Sequence, residues 1–331
     1  MDVSILIISY NTREMTVACI QSVIDQTRSA SYEILVVDNA SKDGSAEAIA
    51  ASFPSDRFPQ VKLIIPPRNL GFAGGNNLAG EQAAGEFILL LNPDTVILDG
   101  AVDKVVAFAR QNPKAGIVGG RTYFGDMTLN PNSCHGKPTP WSLLCMGTGL
   151  SSIFRRNALF DPESLGKWPR DTVRSVDAVT GCFLLIQAQL WRELKGFDLS
   201  FFMYSEDTDL CLRTHQAGYD CLICPEAKLI HYGGQSERIK PDKFVRLFRA
   251  KAQLFEKHWP AIYVNFGVRM LELWAGTRTL GTWVRQLIQP GRRDAFLSWR
   301  EVWRRRQEFR PSQPSPAVGP ATSAPIPATP K

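Results

Sequence analysis

Carboxylates crowd one short stretch of this chain. Phe201-Phe202-Met203-Tyr204-Ser205-Glu206-Asp207-Thr208-Asp209-Leu210-Cys211-Leu212-Arg213 places three acids within four positions, directly after an aromatic cluster and at the start of a predicted helix. Acids in a first helical turn are favoured by the helix dipole, and Asp209 stands four residues before Arg213, the spacing of a helical ion pair. The same side chains do proton transfer where a hydroxyl must be deprotonated. Two further acidic signals, Asp38-Asn39 and Asn92-Pro93-Asp94, each follow an apolar run. Their oxygens suit a ligand N–H or a hard divalent cation. Of the four histidines, His231 stands out, because it closes a predicted strand and precedes Gly233-Gly234-Gln235-Ser236. His135, His215 and His258 show no partner pattern and read as packing or surface residues. Cys221-Leu222-Ile223-Cys224 is formally C-x-x-C, yet it lies in an apolar strand pattern without a second cysteine pair, which reads as core.

The elements that must position these groups alternate. Runs at 3–8, 33–38, 61–65, 87–91 and 116–119 are apolar nearly throughout, as strands covered on both faces are. Between them, 15–26, 43–51 and 101–110 carry apolar residues at helical spacing. The alternation predicts an α/β fold, a doubly wound and mostly parallel central sheet whose ligands bind beyond the carboxyl ends of the strands. Past residue 123 the pattern dissolves into Pro, Gly, Ser and Asn up to 173, which reads as a substrate loop or as a stretch with no legible pattern. Order resumes with a strand pattern over 175–186, a helix near 189–194, and a helix over 206–217 stopped by Gly218.

Four loop signals follow four successive strands: Ser9-Tyr10-Asn11; Asp38 to Ser45; Arg68-Asn69-Leu70-Gly71-Phe72-Ala73-Gly74-Gly75-Asn76-Asn77; and Asn92-Pro93-Asp94. Each alone reads equally well as a strand end or a helix cap. Together, over about residues 1–235, they resemble family 2 glycosyltransferases with the GT-A fold, especially the bacterial rhamnosyltransferase branch. The resemblance implies a nucleoside-diphosphate sugar as donor. It lays Tyr10 along the nucleobase, has Asp38 accept the base N–H, and brings the stretch around Asn69 and Gly71 close to the nucleotide. It makes Asp94 the end of a DxD motif that holds Mg²⁺ or Mn²⁺ against the diphosphate. The first DxD position is Asn92, so the motif supplies one carboxylate rather than two. A diphosphate completes the shell of such a cation without a full protein cage, and glycines at 71, 74 and 75 would let backbone approach the donor.

The resemblance also assigns Asp207, within E-D-x-D-L-x-x-R, as the catalytic base, with Glu206 beside it placed to bond an acceptor hydroxyl or to raise the base's pKa. Val179-Thr180-Gly181-Cys182 resembles the strand segment beside donor sugar and acceptor, where Gly181 would leave room for a sugar ring or merely mark a bulge. In many relatives a histidine at the position of His231 is a metal ligand. The reading is an inverting transfer, with L-rhamnose from dTDP-rhamnose the specific expectation and a cell-envelope glycan or polyprenyl-linked acceptor. The rival is a non-catalytic sugar-nucleotide-binding subunit. A dehydrogenase would need G-x-G-x-x-G after the first strand, where Ser9-Tyr10-Asn11-Thr12-Arg13-Glu14 has no glycine. The P-loop pattern is absent as well, and a nucleotidyltransferase would need a glycine-rich basic loop at that first position.

The 331 residues divide into an expected catalytic domain over 1–240 (nucleotide-sugar half 1–120, acceptor half 121–240), an extension over 241–310, and a Pro/Ala-rich tail over 311–331 that is too polar to fold. The chain carries a net charge of +6, and 241–310 holds 15 Lys/Arg against 6 Asp/Glu. Trp259, Trp274, Trp283, Trp299 and Trp303 are interleaved with these charges. Such a basic, tryptophan-rich stretch suits an anionic membrane surface, with packing on the catalytic domain or a homodimer interface as the alternatives. No nucleic-acid reader motif accompanies the charge. With no signal peptide pattern, no apolar run of about 18 residues and seven scattered cysteines, the expected location is cytoplasmic, peripheral on the inner membrane face.

Overall fold

The computed structural model describes residues 1–233, 241–289, 291 and 293–310. The tail beyond 310 and the Gly234-Gln235-Ser236 part of the turn after His231 lie outside the described residues. The first half runs β1 (Val3–Ser9), α1 (Arg13–Gln26), β2 (Tyr32–Asp38), α2 (Ser45–Ser52), β3 (Val61–Ile64), α3 (Gly71–Gly80), β4 (Phe87–Leu91), β5 (Thr95–Ile97), α4 (Ala101–Gln111) and β6 (Ala115–Tyr123). Next come β7 (Cys134–His135), α5 (Pro140–Thr148), α6 (Leu150–Ile153), β8 (Arg174–Ser175), β9 (Ala178–Val179), β10 (Phe183–Gln187), α7 (Ala188–Glu193), α8 (Glu206–Gln216) and β11 (Asp220–His231). Three helices follow: α9 (Pro241–His258), α10 (Ala261–Ile288) and α11 (Arg293–Arg304).

The central sheet has the order β3-β2-β1-β4-β10-β6-β11-β5, with β8 on the side of β11. β1 pairs in parallel with β2 and β4, and β2 with β3. The alternation along β1 explains its unbroken apolar run. Val3, Ile5 and Ile7 enter one core with Ile20 and Val23 of α1 and Val105 of α4, while Leu6 and Ile8 enter the other with Ala73 of α3, Leu190 of α7 and Leu210 of α8. Helices thus cover both faces, as a doubly wound sheet requires. β10 runs antiparallel to both its neighbours, β4 and β6, and so reverses the chain in mid-sheet.

Three sequence expectations change. The stretch read as a loop over 68–77 is mostly helix, since α3 begins at Gly71. Its glycines bring that helix down on the protein rather than on a ligand. A Cβ on Gly75 would stand 2.9 Å from Ile8 Cγ2, and one on Gly71 (φ +75°) would stand 2.3 Å from the Phe202 carbonyl oxygen. The single strand expected over 175–186 is broken. β9 leaves to pair with β7 in a separate two-stranded ribbon, and Thr180–Cys182 form a turn before β10. The stretch 123–173, which shows no pattern in sequence, contains β7, α5 and α6, capped by a Thr139–Ser142 box.

The C-terminal helices build their own apolar core. Val245, Phe248 and Phe255 of α9, Leu271 and Ala275 of α10 and Val302 of α11 close on Leu143 of α5, with Trp259, Trp274, Trp299 and Trp303 packed against them. Four of the five tryptophans expected at a membrane are therefore partly buried packing residues, and only Trp283 is exposed. Arg305 is committed to Glu308 and Asp242, and Arg306 lies 4.7 Å over the Trp303 ring. Gly75→Ala should lower stability by about 1–3 kcal/mol through overpacking against Ile8. Urea unfolding checks this, and a variant as stable as the parent would show that α3 shifts freely over β1.

Candidate functional site

The expected donor residues gather at the carboxyl ends of β1, β2 and β4. The first two loops are stitched together. Asn11 (φ +54°) donates its backbone N–H to Ser41 Oγ at 3.0 Å and accepts the Lys42 N–H on Oδ1 at 2.8 Å. Ser9 is fully buried with its hydroxyl 2.9 Å from Thr16 Oγ1 of α1, so its side chain fastens β1 to α1 instead of facing the mouth. Tyr10 remains partly exposed at the rim. Asp38 is 2% exposed; Oδ2 accepts the Ser41 N–H at 3.3 Å, and Oδ1 is buried with no hydrogen-bond partner. Burial pushes its pKa up against the Ser41 hydrogen bonds, and Asp43 and Glu47 add repulsion. A buried carboxylate oxygen without a donor is costly, so an arriving N–H finds a ready acceptor.

Asn39, beside Asp38, has a role that sequence reading missed. Its amide donates to the Gly71 carbonyl at 3.0 Å and accepts the Leu70 N–H at 2.8 Å, binding the β2 loop to the start of α3. Asn69 accepts the Gly71 N–H at 2.8 Å and shapes the same corner. The only signal in sequence was its position directly after Asp38.

Asp94 and His231 meet through strand register. β5 pairs antiparallel with the end of β11, setting His231 opposite Thr95, so Asp94 falls next to the imidazole. Asp94 Oδ1 is 3.3 Å from His231 Nε2, and both side chains are 16% exposed. Burial works against charge on the imidazole, but the adjacent Cys182 and Asp94 outweigh it and push the pKa up to about 10. A divalent cation fits this donor set by displacing the proton between them: one carboxylate and one neutral imidazole would supply two ligands, and diphosphate and water the rest. Among the described residues no cluster of three His, Cys, Asp or Glu forms a closed metal cage. Asn92 Oδ1 is buried without a partner, while its N–H donates to the Cys182 carbonyl at 3.1 Å.

The acids of α8 divide sharply. Asp207 accepts the Gly181 N–H on Oδ2 at 3.0 Å and the Thr208 N–H on Oδ1 at 2.7 Å. The space left by Gly181 is taken by Phe72, whose ring carbon lies 3.0 Å from where a Cβ would be. Glu206 is 5% exposed, and burial and then the Asp207 charge raise its pKa well above the ordinary value. Its Oε2 is buried with no partner. Asp209 is fully buried and meets Arg213 Nε at 2.8 Å, Lys257 Nζ at 2.8 Å and His258 Nε2 at 2.7 Å. Arg213 also donates to the carbonyls of Leu194 and Gly196. Asp209 and Arg213 are therefore the expected helical pair, and His258, which showed no partner in sequence, is one of its anchors. His135 is the second histidine with an unexpected place, its Nε2 lying 3.4 Å from Thr208 Oγ1.

With this geometry in view, residues 4–162 match the model of glycosyl transferase family 2. This stretch, just under half of the chain, belongs to that family. It is similar to a protein of Sinorhizobium fredii, 28% identical over 264 residues that span 78% of this chain and 27% of that protein. It is also similar to the Mycobacterium tuberculosis N-acetylglucosaminyl-diphospho-decaprenol L-rhamnosyltransferase, 26% identical over 238 residues, 67% of this chain and 73% of that enzyme. The chain thus spans little more than a quarter of the first relative and about three quarters of the second. Among solved structures it resembles the Pyrobaculum calidifontis mannosyltransferase in complex with GDP-Man and Mn²⁺, with TM-score 0.57, 14% identity, 91% of this chain and 84% of that one covered. At that identity the likeness speaks for the fold, which is GT-A.

Removing the Asp209 carboxylate strands Arg213, Lys257 and His258 around a buried site. Asp209→Ala should cost about 3–5 kcal/mol of stability in urea unfolding. A loss below about 1 kcal/mol would show that solvent replaces the carboxylate. Acid acts on two groups in opposite senses. Burial alone would raise the pKa of Asp209, but His258, Lys257 and Arg213 hold it low. Its contribution is present above about pH 4 and lost as pH falls through the depressed folded value. Glu206, whose folded pKa is raised, weighs against the fold as pH rises above about 4 and ceases to do so on acidification. Glu206→Gln should therefore stabilise the protein at pH 7 more than at pH 4 in thermal unfolding. Equal effects at both values would mean that Glu206 titrates normally.

Proposed function

We propose that the chain transfers a sugar with inversion from a nucleoside-diphosphate donor to an acceptor hydroxyl, with Asp207 as the base. The observation that carries this reading is the Thr180–Cys182 turn. Its Gly181 N–H holds Asp207, its Cys182 carbonyl receives the Asn92 N–H, and Cys182 borders the Asp94–His231 pair. A base and a diphosphate-binding pair thus flank one short turn, which is what direct displacement at an anomeric carbon needs.

Asp38, with its unpartnered Oδ1, accepts a nucleobase N–H, and Tyr10 at the rim offers its ring face. Asp94 and His231 would hold the divalent cation, which neutralises the departing diphosphate when bound. The two N–H groups on Asp207 aim its carboxylate so that a free lone pair can take the acceptor proton. Glu206, buried beside it with its pKa raised, adjoins Asp207 at the helix start. The donor we favour is dTDP-L-rhamnose and the acceptor a polyprenyl-diphosphate-linked sugar or related envelope glycan, in keeping with the relative that is named for such a transfer.

Asp207→Asn should retain donor binding in calorimetry while transfer falls by about 10²–10⁴-fold. A variant with near-parental turnover would remove Asp207 from the chemistry and favour the non-catalytic sugar-nucleotide-binding reading. His231→Ala should weaken Mn²⁺-dependent donor binding while metal-independent binding of the bare nucleoside survives. An unchanged Mn²⁺ affinity in the donor complex would leave His231 as a strand end only.

A further inference from the structure

We propose that the C-terminal end of α10, together with the turn after α6, is a docking surface for an anionic phospholipid bilayer. On α10, Leu280, Trp283, Val284, Leu287 and Ile288 are all exposed, the last two to 63% and 75%. The helix therefore runs on past the packed core with apolar side chains in solvent, an arrangement that marks an interaction site more often than a bare surface. At the end of α6, Ile153 and Phe154 are 73% and 45% exposed. Arg278 ties the two parts together by donating to Ser152 Oγ at 3.1 Å, and Thr277 does so one residue earlier through the Gly147 carbonyl at 3.2 Å.

Charge says what covers this surface. Arg155 and Arg285 both act on Arg278, whose pKa is pulled down by burial and then by these two neighbours. The nearby Asp161 carboxylate receives the Arg156 backbone N–H. Among the described residues none of Arg155, Arg278 and Arg285 has a carboxylate partner within ion-pair distance, whereas Arg213 and Arg305 are both paired. Three mutually repelling guanidinium groups beside exposed leucines and isoleucines complement phosphate headgroups above an acyl layer. A second copy of the chain fits poorly, because a two-fold interface would set this arginine cluster near its own image. Residues 311–331 contain no Asp or Glu and bring no compensating charge. Contact is superficial, since among the described residues no helix is long and apolar enough to cross a bilayer.

Contacts also lead from α5, which packs on α10, toward the start of α8. Ser142 of α5 donates to Glu163, which is paired with Lys251 of α9, and the Glu163 carbonyl receives the Gly136 N–H beside His135 and Thr208. A bilayer on α10 would thus rest on a helix linked through α5 and Glu163 to the residues beside Thr208. This deepens the lipid-linked acceptor reading above and rests on it only for that last step.

The test is sedimentation of the full chain with phosphatidylcholine vesicles that contain or lack phosphatidylglycerol, at low and high salt. Binding should require phosphatidylglycerol and fall with salt. Arg155→Glu with Arg285→Glu should weaken it more than tenfold, taking about fivefold for each charge removed, and Leu287→Asp with Ile288→Asp should weaken it similarly. All four positions are exposed, so thermal unfolding and donor-induced stabilisation should match the parent. Parent protein that ignores anionic vesicles, or variants that bind as the parent does, would overturn the proposal. So would light scattering that shows a dimer broken by these substitutions, which would assign the surface to a second copy. Loss of donor-induced stabilisation in the parent would instead strike at the transferase reading and leave the vesicle result standing.

Discussion

One buried carboxylate holds α8 to its neighbours. Asp209 has no exposed surface, and a carboxylate in that setting survives only if its partners neutralise it. Those partners come from two directions: Arg213 from its own helix, and Lys257 and His258 from the end of α9. Arg213 then reaches back to the carbonyls at the end of α7 and the following turn. The helix that begins with Glu206 and Asp207 is thereby fixed at both flanks. The C-terminal helices are consequently tied, through α9, to the helix that carries the proposed base.

A second constraint is the reversal of β10. A strand antiparallel to both neighbours in an otherwise parallel region puts its N-terminal turn at the same end as the carboxyl ends of β1, β2 and β4. That turn is Thr180–Cys182, and it links Asp207, Asn92 and the surroundings of His231. The mouth of the sheet therefore acquires residues far apart in the chain without any long excursion.

Four buried polar atoms without a partner lie where the chemistry is expected. Asp38 Oδ1, Asn92 Oδ1, Glu206 Oε2 and His231 Nδ1 are all buried without a partner. Others occur elsewhere, among them Thr27 and Trp274, so an orphan alone does not mark a site. The distinction lies in grouping: four of these atoms belong to residues at one end of the sheet. Each costs stability in the free protein, and a ligand that supplies the missing partner recovers it.

Local pattern determined much of this protein. The two-sided apolar runs specified the strands of the nucleotide half, because burial on both faces leaves no polar position free, and the Asp209–Arg213 spacing specified a helical ion pair. Asp38, Asp94 and Asp207 stood out as candidates because the motifs that carry the family resemblance are local. What local pattern does not contain is partnership across the chain. That Asp94 adjoins His231 follows from the register of β5 on β11, and that Lys257 and His258 answer Asp209 follows from how α9 crosses α8. The glycines of α3 looked like room for a ligand, but the space they leave belongs to Ile8 and Phe202. The tryptophans past 241 looked like a membrane face, but tertiary packing turned four of them inward and left Leu287 and Ile288 outside. A sequence states how apolar or charged a residue is, and only the fold decides which neighbour uses that property.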